Sequence, residues 1–399
     1  MIGFLLSPVY ALVCVYIVNR IFRFLGAIPL KLFSGKPFRI IFSVIFALVA
    51  LLPLWSYLLP LNTKIKHTGQ LLNNYWIGIF EYLFLTVTLV DLVVQIIGVI
   101  RKDRKKFIMK TSVRLIAGTL AFLIVTGTSV YGMVHARKVQ LTEHSVKINK
   151  TVEGIDKMKV ILVADLHMGY SIGVPHIEQM VDIINQQNAD LVVIAGDIFD
   201  NDYDALDNPD KLCQLLGSIK SKYGTYACWG NHDISETLFV GFTVSSDKTL
   251  HRDDRMVEFL QKANIHLLCD ENVLIDNKFY LSGRNDSEKI ISATGTRLTP
   301  DELLKDIDKK YPVFVIYHEP DEFEELEKAG CDLLLCGHTH NGQTFPGTLF
   351  IKLRWENPYG YMKIGNMHQF TTSGLGVWGP YMRTGTDSEV MSIDVTFSK

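Results

Sequence analysis

The chain has 399 residues, 48% of them hydrophobic, and a formal net charge of −2. That length allows two units of ordinary domain size, and the near-neutral balance argues against a nucleic-acid polymer as partner. The average hides a split: the first third is strongly apolar with basic loops, and the remainder has the mixture of a soluble domain.

Four apolar segments, roughly 1–18, 39–60, 75–100 and 113–135, approach or exceed the ~20 residues that cross a hydrocarbon core. The first has neither a basic n-region nor a small-residue cleavage site, so it reads as a span and not as a signal peptide. The loop after it carries Arg20, Arg23, Lys31, Lys36 and Arg39, and the next only Lys64 and Lys66. The third loop is dense in charge: Arg101, Lys102, Arg104, Lys105, Lys106, Lys110 and Arg114. The positive-inside rule makes the first and third loops cytoplasmic and puts the soluble domain outside; Arg137 and Lys138 run against this bias. Residues 21–33 read either as a basic interfacial helix or as a plain connector. Glu81 reads as a group that snorkels to the interface, and Asp91, which lies deeper, as a functional or a helix-packing carboxylate.

Beyond the spans, residues 139–149 alternate as a half-buried strand does. A branched apolar run at 158–164 reads as a buried strand. It ends in Asp165 and His167, which an extended backbone would put on one side. A helix at 175–187 is followed by a strand at 191–195 that closes in Gly196-Asp197-Ile198-Phe199-Asp200. A helix at 209–220 precedes a strand at 226–229 ending in Gly230-Asn231-His232-Asp233. This alternation predicts a largely parallel sheet with helices packed on it. Residues 234–250 read as an irregular loop over the site. A helix at 255–263 and strands at 265–268 and 273–282 follow, with Asp276-Asn277 as a hairpin turn. Thr299-Pro300-Asp301-Glu302 is a helix start. Strands at 313–317 and 333–336 end at His318 and at Gly337-His338-Thr339-His340, with a helix at 321–329 between them. Strand-like pieces from about 361 close the chain. The six cysteines include no Cys-x-x-Cys pair, which argues against a zinc ribbon.

Each strand-end motif is weak alone, because a single histidine after a strand usually satisfies a local partner. The ordered set is specific. Asp165-x-His167, Gly196-Asp197-x-x-Asp200, Gly230-Asn231-His232-Asp233 and Gly337-His338-x-His340 resemble, in order, the signature of the calcineurin-like metallophosphoesterases. His318, in Tyr317-His318-Glu319-Pro320, resembles the remaining histidine, and the likeness covers about 158–397. Residues 337–343 and Ser373-Gly374-Leu375-Gly376 resemble the membrane-associated bacterial branch, with Asn341 where many relatives have glycine.

The resemblance implies an α/β fold in 137–399, a four-layer sandwich of two mixed β-sheets flanked by helices; the apolar segments before it, which the resemblance does not cover, read as a four-helix transmembrane region in 1–136. The resemblance also implies two divalent metal ions. One would take Asp165, His167, Asp197 and His340; the other would take Asp197, Asn231, His318 and His338, with Asp197 bridging. Mixed oxygen and imidazole ligation suits manganese, iron or zinc better than calcium or copper. The ions' charge exceeds that of Asp165, Asp197 and a hydroxide, so the site stays positive and matches a phosphoryl group. His232 is implied as the group that protonates the leaving oxygen or hydrogen-bonds the phosphoryl, with Asp200 orienting it, and Asp233 as structural. Arg383 reads equally as a phosphate contact or a surface salt bridge, and Gln343 is a candidate substrate contact. Trp355, Tyr359 and Tyr361 read as pocket wall or core; His176, His251, His266 and His368 read as structural.

The expected activity is hydrolysis of a phosphomonoester or phosphodiester by metal-activated hydroxide, in a multi-pass protein of the cell membrane whose site faces outward. Proximity to the bilayer suggests a lipid-linked or envelope substrate. A nucleotide phosphodiesterase is the alternative within the enzyme class. A non-catalytic sensor or assembly protein that kept the fold is the alternative outside it, but no metal ligand is lost. A transporter would need intramembrane charges in pairs.

Overall fold

The apolar runs of the first third form long helices in the computed structural model: Ile2–Leu25, Lys36–Ala50, Thr63–Ile100 and Thr111–His135. The structure describes residues 2–54, 63–236, 238–239, 242–243, 252–286 and 297–398. Among these, four helical stretches are long and apolar enough to cross a membrane: Ser7–Leu25, Lys36–Leu54, Ile65–Ile100 and Thr111–His135. Residues 55–60 of the expected second span lie outside the described residues. The interfacial helix expected at 21–33 is not a separate element. Residues 21–25 continue the first helix, and Lys31–Ser34 form a short one beyond the break at Gly26 and Pro29. Asp91 accepts from Arg20 at 2.7 Å and from the Tyr16 hydroxyl at 3.4 Å, which ties the third long helix to the first. A paired carboxylate that joins two helices is the packing role, because pairing offsets the cost of ionisable groups at depth.

Met1–Val134, with Leu238–Val244 and Gly379–Met382, make one compact unit; His135–Thr237, Ser245–Trp378 and Arg383–Lys399 make the other. The first unit includes a two-residue ladder, in which Leu238–Phe239 pairs antiparallel with Phe242–Thr243. Those residues belong to the loop expected at 234–250, of which residues 237, 240–241 and 244–250 lie outside the described residues.

The second unit is built on strands β1 (Val139–Ile148), β2 (Lys157–Val163), β3 (Leu191–Ala195), β4 (Thr225–Cys228), β5 (Ile265–Leu267), β6 (Glu271–Ile275), β7 (Phe279–Gly283), β8 (Val313–Ile316), β9 (Leu333–Cys336), β10 (Gly360–Ile364), β11 (Met367–Thr371) and β12 (Ser388–Phe397). They form two six-stranded sheets among the described residues. The first has the order β1-β12-β2-β3-β4-β5, and the second β10-β11-β9-β8-β7-β6. The alternation of strands and helices suggested largely parallel pairing, but both sheets are mixed. β12 runs antiparallel to β2, β10 to β11, and β6 to β7. The first arises because the chain end returns into the sheet, and the other two because tight turns join neighbouring strands.

From Val160 on, β2 has a strand on either side and no exposed face, so Val160, Ile161, Leu162 and Val163 are fully buried and this part shows no polar alternation, whereas Lys157 and Lys159 before it alternate with the buried Met158. Val160 and Leu162 share one core with Val193 of β3 and with Phe314, Ile316, Leu333 and Leu335 of the second sheet. Two sheets packed through one core is the expected sandwich, and helices flank them. In the helix Val174–Gln186 the apolar stripe Ile177, Met180, Val181 and Ile184 is buried. Thr299 and Glu302 close a capping box on Pro300–Leu304. Asp276 and Asn277 turn the β6–β7 hairpin with φ of +50° and +53°. The helix expected over 209–220 stops at Leu216, before Gly217. A helix at Gly347–Arg354 was not announced by the periodicity.

Candidate metal centre

The parallel strands end at one place. β2, β3 and β4 of the first sheet lead into Asp165, Asp197 and Asn231, while β8 and β9 of the second lead into His318 and into His338 and His340. β2 ends at Val163, so alternation along the strand does not align Asp165 and His167. Both adopt left-handed backbone, with φ of +52° and +45°. Asp197, His338 and His340 share this conformation, at +51°, +76° and +48°. Left-handed backbone costs energy for any residue with a Cβ, and it recurs at functional sites because the surroundings enforce it. The enforcement here is crowding. A Cβ on Gly196 would stand 2.6 Å from His318 Nδ1, and one on Gly374 2.8 Å from an Asp165 oxygen. Both positions have positive φ, so glycine satisfies two demands at once. Asn341 has φ of +50°, which explains why glycine suits that position.

Two groups emerge in which every ligand atom lies within 4.8 Å of the others: Asp165, His167 and His340, and Asp197, His318 and His338. Asp197 Oδ2 also lies 3.6 Å from His167 Nε2 and 3.0 Å from His318 Nε2, so it faces both groups. Asn231 Oδ1 stands 3.2 Å from His318 Nε2 and 3.0 Å from His338 Nδ1. His167 Nε2 and His340 Nε2 face each other at 3.1 Å. His318 Nδ1 lies 2.7 Å from the Ala195 carbonyl and can only donate to it, which turns Nε2 toward the oxygens. Acceptor atoms that converge in this way repel unless a cation stands among them, and carboxylate, amide and imidazole donors suit a divalent transition metal.

Electrostatics agree. Burial pushes the Asp165 carboxyl up to about 6, with the Asp197 charge acting in the same direction against His318 and His167. Burial also opposes charge on Asp197, but His318, His232 and His167 outweigh it and hold this carboxyl well below the usual range. Burial would lower His318, yet Asp197 and Asp165 push that imidazole well above its ordinary value. Burial pulls His338 down to about 3, and His340 well below the imidazole range. These two are therefore neutral and ready to ligate, while the proton shared by His318 and Asp197 is one that metal binding would release.

The remaining candidates divide. His232 sits at the centre: its backbone N–H donates to Asp197 Oδ1 at 2.7 Å, and its ring lies 5.1 Å from that of His167. Asp200 does not take the orienting place expected for it. His232 Nδ1 lies 2.6 Å from Asn201 Oδ1, while Asp200 Oδ1 stands 3.6 Å from His167 Nδ1, just beyond hydrogen-bond reach. Asp233 is structural, accepting from the backbone N–H groups of Ile198, Phe199 and Gly230, each at 2.8 Å.

Arg383 is neither a phosphate contact nor a surface ion pair. It is fully buried and donates to the carbonyls of Ser373, Gly374 and Gly376 at 2.8, 3.0 and 2.6 Å and to Thr386 Oγ1 at 3.1 Å. A guanidinium so engaged fixes the loop that covers Asp165. The Gln343 side chain is likewise turned inward: it donates to the Trp378 carbonyl at 3.0 Å and accepts from the Trp378 N–H at 2.9 Å. What it positions is Trp378, whose ring lies 5.6 Å from that of His232. The Trp355 ring meets His338 edge-on at 5.1 Å, as a wall of the site would; Tyr359 and Tyr361 are partly exposed. His176 contacts the Leu375 carbonyl and His368 the Lys147 carbonyl, and His266 stacks on Tyr226, so all three are structural. His251 lies outside the described residues. Sequence reasoning missed Asn201, Glu236 and Trp378. Asn201 directly follows the Gly196–Asp200 motif, which was the available signal.

Comparison with known proteins is consistent with this geometry. Residues 158–342 match the calcineurin-like phosphoesterase family model. A zebrafish (Danio rerio) transmembrane protein with metallophosphoesterase domain is 26% identical over 69% of this chain and 61% of its own length. A Campylobacter jejuni protein described as an uncharacterized metallophosphoesterase is 23% identical over 100% of this chain and 98% of its own. The Escherichia coli phosphodiesterase YaeI is 27% identical over 55% of this chain and 75% of its own. The chain spans about three fifths of the length of several curated relatives, among them the zebrafish protein (61%) and a Helicobacter pylori metallophosphoesterase (62%).

Proposed function

The chain carries a calcineurin-like metallophosphoesterase domain and belongs to that superfamily; from that premise we propose that it is a membrane-anchored, metal-dependent phosphoesterase. On this reading residues 1–136 anchor the protein and residues 137–399 form the catalytic domain. The observation that carries the proposal is the pair of ligand groups, each with its donor atoms within 4.8 Å. Asp165, His167, Asp197 and His340 would hold one ion, and Asp197, Asn231, His318 and His338 the other. When bound, two such ions supply positive charge for the phosphoryl group and lower the pKa of water toward neutrality.

The chain's own residues do the rest. Asp197 holds the His232 backbone while facing both ligand groups. His232, with its ring against His167 and Trp378, is the imidazole outside the two ligand groups that stands beside them and would give a proton to the departing oxygen. Arg383 and Gln343 keep the loop from Ser373 to Trp378 in place over the site.

Four helices able to span a bilayer favour a phosphoester that is itself lipid-linked or part of the envelope. A nucleotide phosphodiester is the second reading; the name of the E. coli relative, a phosphodiesterase, favours a diester over a monoester. The charge of the loops favours an extracytoplasmic site. Manganese-loaded full-length protein should hydrolyse an activated aryl phosphomonoester or phosphodiester, and Asp197→Ala should abolish turnover; undiminished turnover in that variant would refute the mechanism. Parallel assays on a phospholipid, a prenyl phosphate and a cyclic nucleotide identify the substrate class. A C-terminal alkaline phosphatase fusion should be active in a bacterial host, and activity confined to a cytoplasmic reporter would reverse the orientation.

A further inference from the structure

We propose that Asn201 and Glu236 are positioning residues that set the tautomer of His232. The inference rests on the phosphoesterase reading only for its consequence in turnover; the arrangement itself stands on hydrogen-bond chemistry. Asn201 is 2% exposed, and its two side-chain ends meet different partners. Its Nδ2 donates to Glu236 Oε1 at 2.7 Å, and its Oδ1 stands 2.6 Å from His232 Nδ1. An amide can be turned end for end, so the direction of such a chain must come from a group that cannot. Glu236 is that group, because a carboxylate accepts hydrogen bonds and does not donate them.

The sequence of constraints then runs one way. Glu236 requires the amide NH2 to face it, which turns the amide oxygen toward His232. That oxygen only accepts, so Nδ1 of the imidazole must carry a hydrogen. In the neutral ring the lone pair is thereby placed on Nε2, and in the charged ring Nε2–H is the proton to be delivered. The backbone reinforces the alignment. Asn201 N–H donates to the His232 carbonyl at 3.1 Å, and Glu236 N–H donates to the Asn201 carbonyl at 3.3 Å. Asn201 holds a left-handed φ of +61°, a conformation that asparagine tolerates better than most residues. An amide between carboxylate and imidazole passes on orientation without placing a negative charge against the ring, unlike a directly bonded aspartate. Asp200, left out of this chain, lies beside His167 instead.

The test reads the ring directly. Full-length, metal-free protein is labelled with nitrogen-15 histidine, and the His232 signals are identified by their loss in His232→Gln. In the wild type, Nδ1 should show the shift of a protonated nitrogen and Nε2 that of an unprotonated one above the ring's titration. Glu236→Gln keeps shape and hydrogen bonding but lets the amide turn, so a mixture of tautomers is expected. Asn201→Leu removes the acceptor and should move the ring toward the Nε2–H form that water favours, while Asn201→Asp should restore Nδ1–H. A wild-type ring protonated on Nε2, or ring shifts that neither Asn201→Leu nor Glu236→Gln moves, would overturn the proposal.

Turnover gives the second readout. Asn201→Leu should lower kcat on an aliphatic phosphoester by about 10- to 100-fold at nearly constant KM, yet by less than about 3-fold on a nitrophenyl ester, because proton delivery matters most for a basic leaving group. Equal losses on both esters would mark a merely structural role and also overturn the proposal. If the wild type turns over no ester, the phosphoesterase reading fails, while the ring shifts still decide the positioning claim.

Discussion

The first sheet supplies both carboxylates of the centre, Asp165 and Asp197, with the amide of Asn231 and the imidazole of His167, whereas the second supplies only imidazoles, His318, His338 and His340. Burial acts on both sets, with opposite results. It makes the carboxylates costly, since Asp165 is pushed up to about 6, and it keeps His338 and His340 neutral. The carboxylates belong to one layer alone, while imidazoles come from both, and His318 of the second sheet is the one pushed toward its charged form by Asp197 and Asp165. Neither sheet alone presents a complete ligand group, because Asp165 and His167 need His340, and Asp197 needs His318 and His338. The centre exists only when the core between the sheets closes, which couples metal affinity to folding.

Substitution of the ligands themselves is expected to have the largest effect. Asp165→Ala removes a charge from the first sheet, and with it the acceptor for the His338 backbone N–H at 3.0 Å. Activity should fall by about 10³-fold or more, since metal-linked charge stabilisation is worth several kcal/mol. The rise in Tm on adding manganese to chelated protein should disappear. His338→Ala removes a neutral donor from the second sheet and should keep part of that rise. Equal losses in the two variants would mean that confining the carboxylates to one layer has no energetic content.

Much of this centre was legible because its residues are local to strand ends. A run such as 158–164 announces a buried strand, and the polar residues just beyond it announce the loop. What the sequence could not show is which loop atoms meet across the interior. Arg383 read as a phosphate contact or a surface salt bridge, but its partners are mainly carbonyl oxygens, which every residue has and which leave no trace in a sequence. Asp200 looked like the natural partner of His232, but the left-handed turn at Asn201 puts the next side chain there instead. The mixed character of the sheets was hidden from local pattern for the same reason. β12 pairs with β1 and β2 over more than two hundred residues of chain, and nothing in its own alternation states direction.

A smaller effect, about 3 kcal/mol, is expected in the shared core. Leu162 of the first sheet and Leu335 of the second are both fully buried in it, and Leu→Ala at such sites costs the lost transfer energy plus a cavity. Leu162→Ala and Leu335→Ala should lower the urea midpoint similarly, followed by the fluorescence of the fully buried Trp229. If one variant unfolds in two separate steps, the sheets do not share a single cooperative core, and the dependence of the centre on their closure falls.

The smallest effect tests the support of the second sheet's first imidazole. Tyr317, which precedes His318, is faced by the guanidinium groups of Arg284 and Arg297 at 5.4 and 5.2 Å, and both bond to Glu322, at 2.7 and 2.5 Å. Arg284 is fully buried, so Glu322 balances a charge that has little access to water. Burial opposes ionisation of Glu322, but the two arginines outweigh it and hold the carboxyl below its ordinary value. A depressed carboxyl stabilises the fold above the unfolded-state value, about 4.3 for glutamate, and that contribution is lost as pH falls through the lower folded value. Glu322→Gln keeps an acceptor for both arginines and removes the charge, so it should cost about 1–2 kcal/mol at neutral pH, reduced by the partial exposure of the pair. The stability curves of the two proteins should then converge on acidification. A difference that stays constant from neutral to acidic pH would show that the charge on Glu322 is not what holds this corner, and the support of Tyr317 would have to be assigned to packing alone.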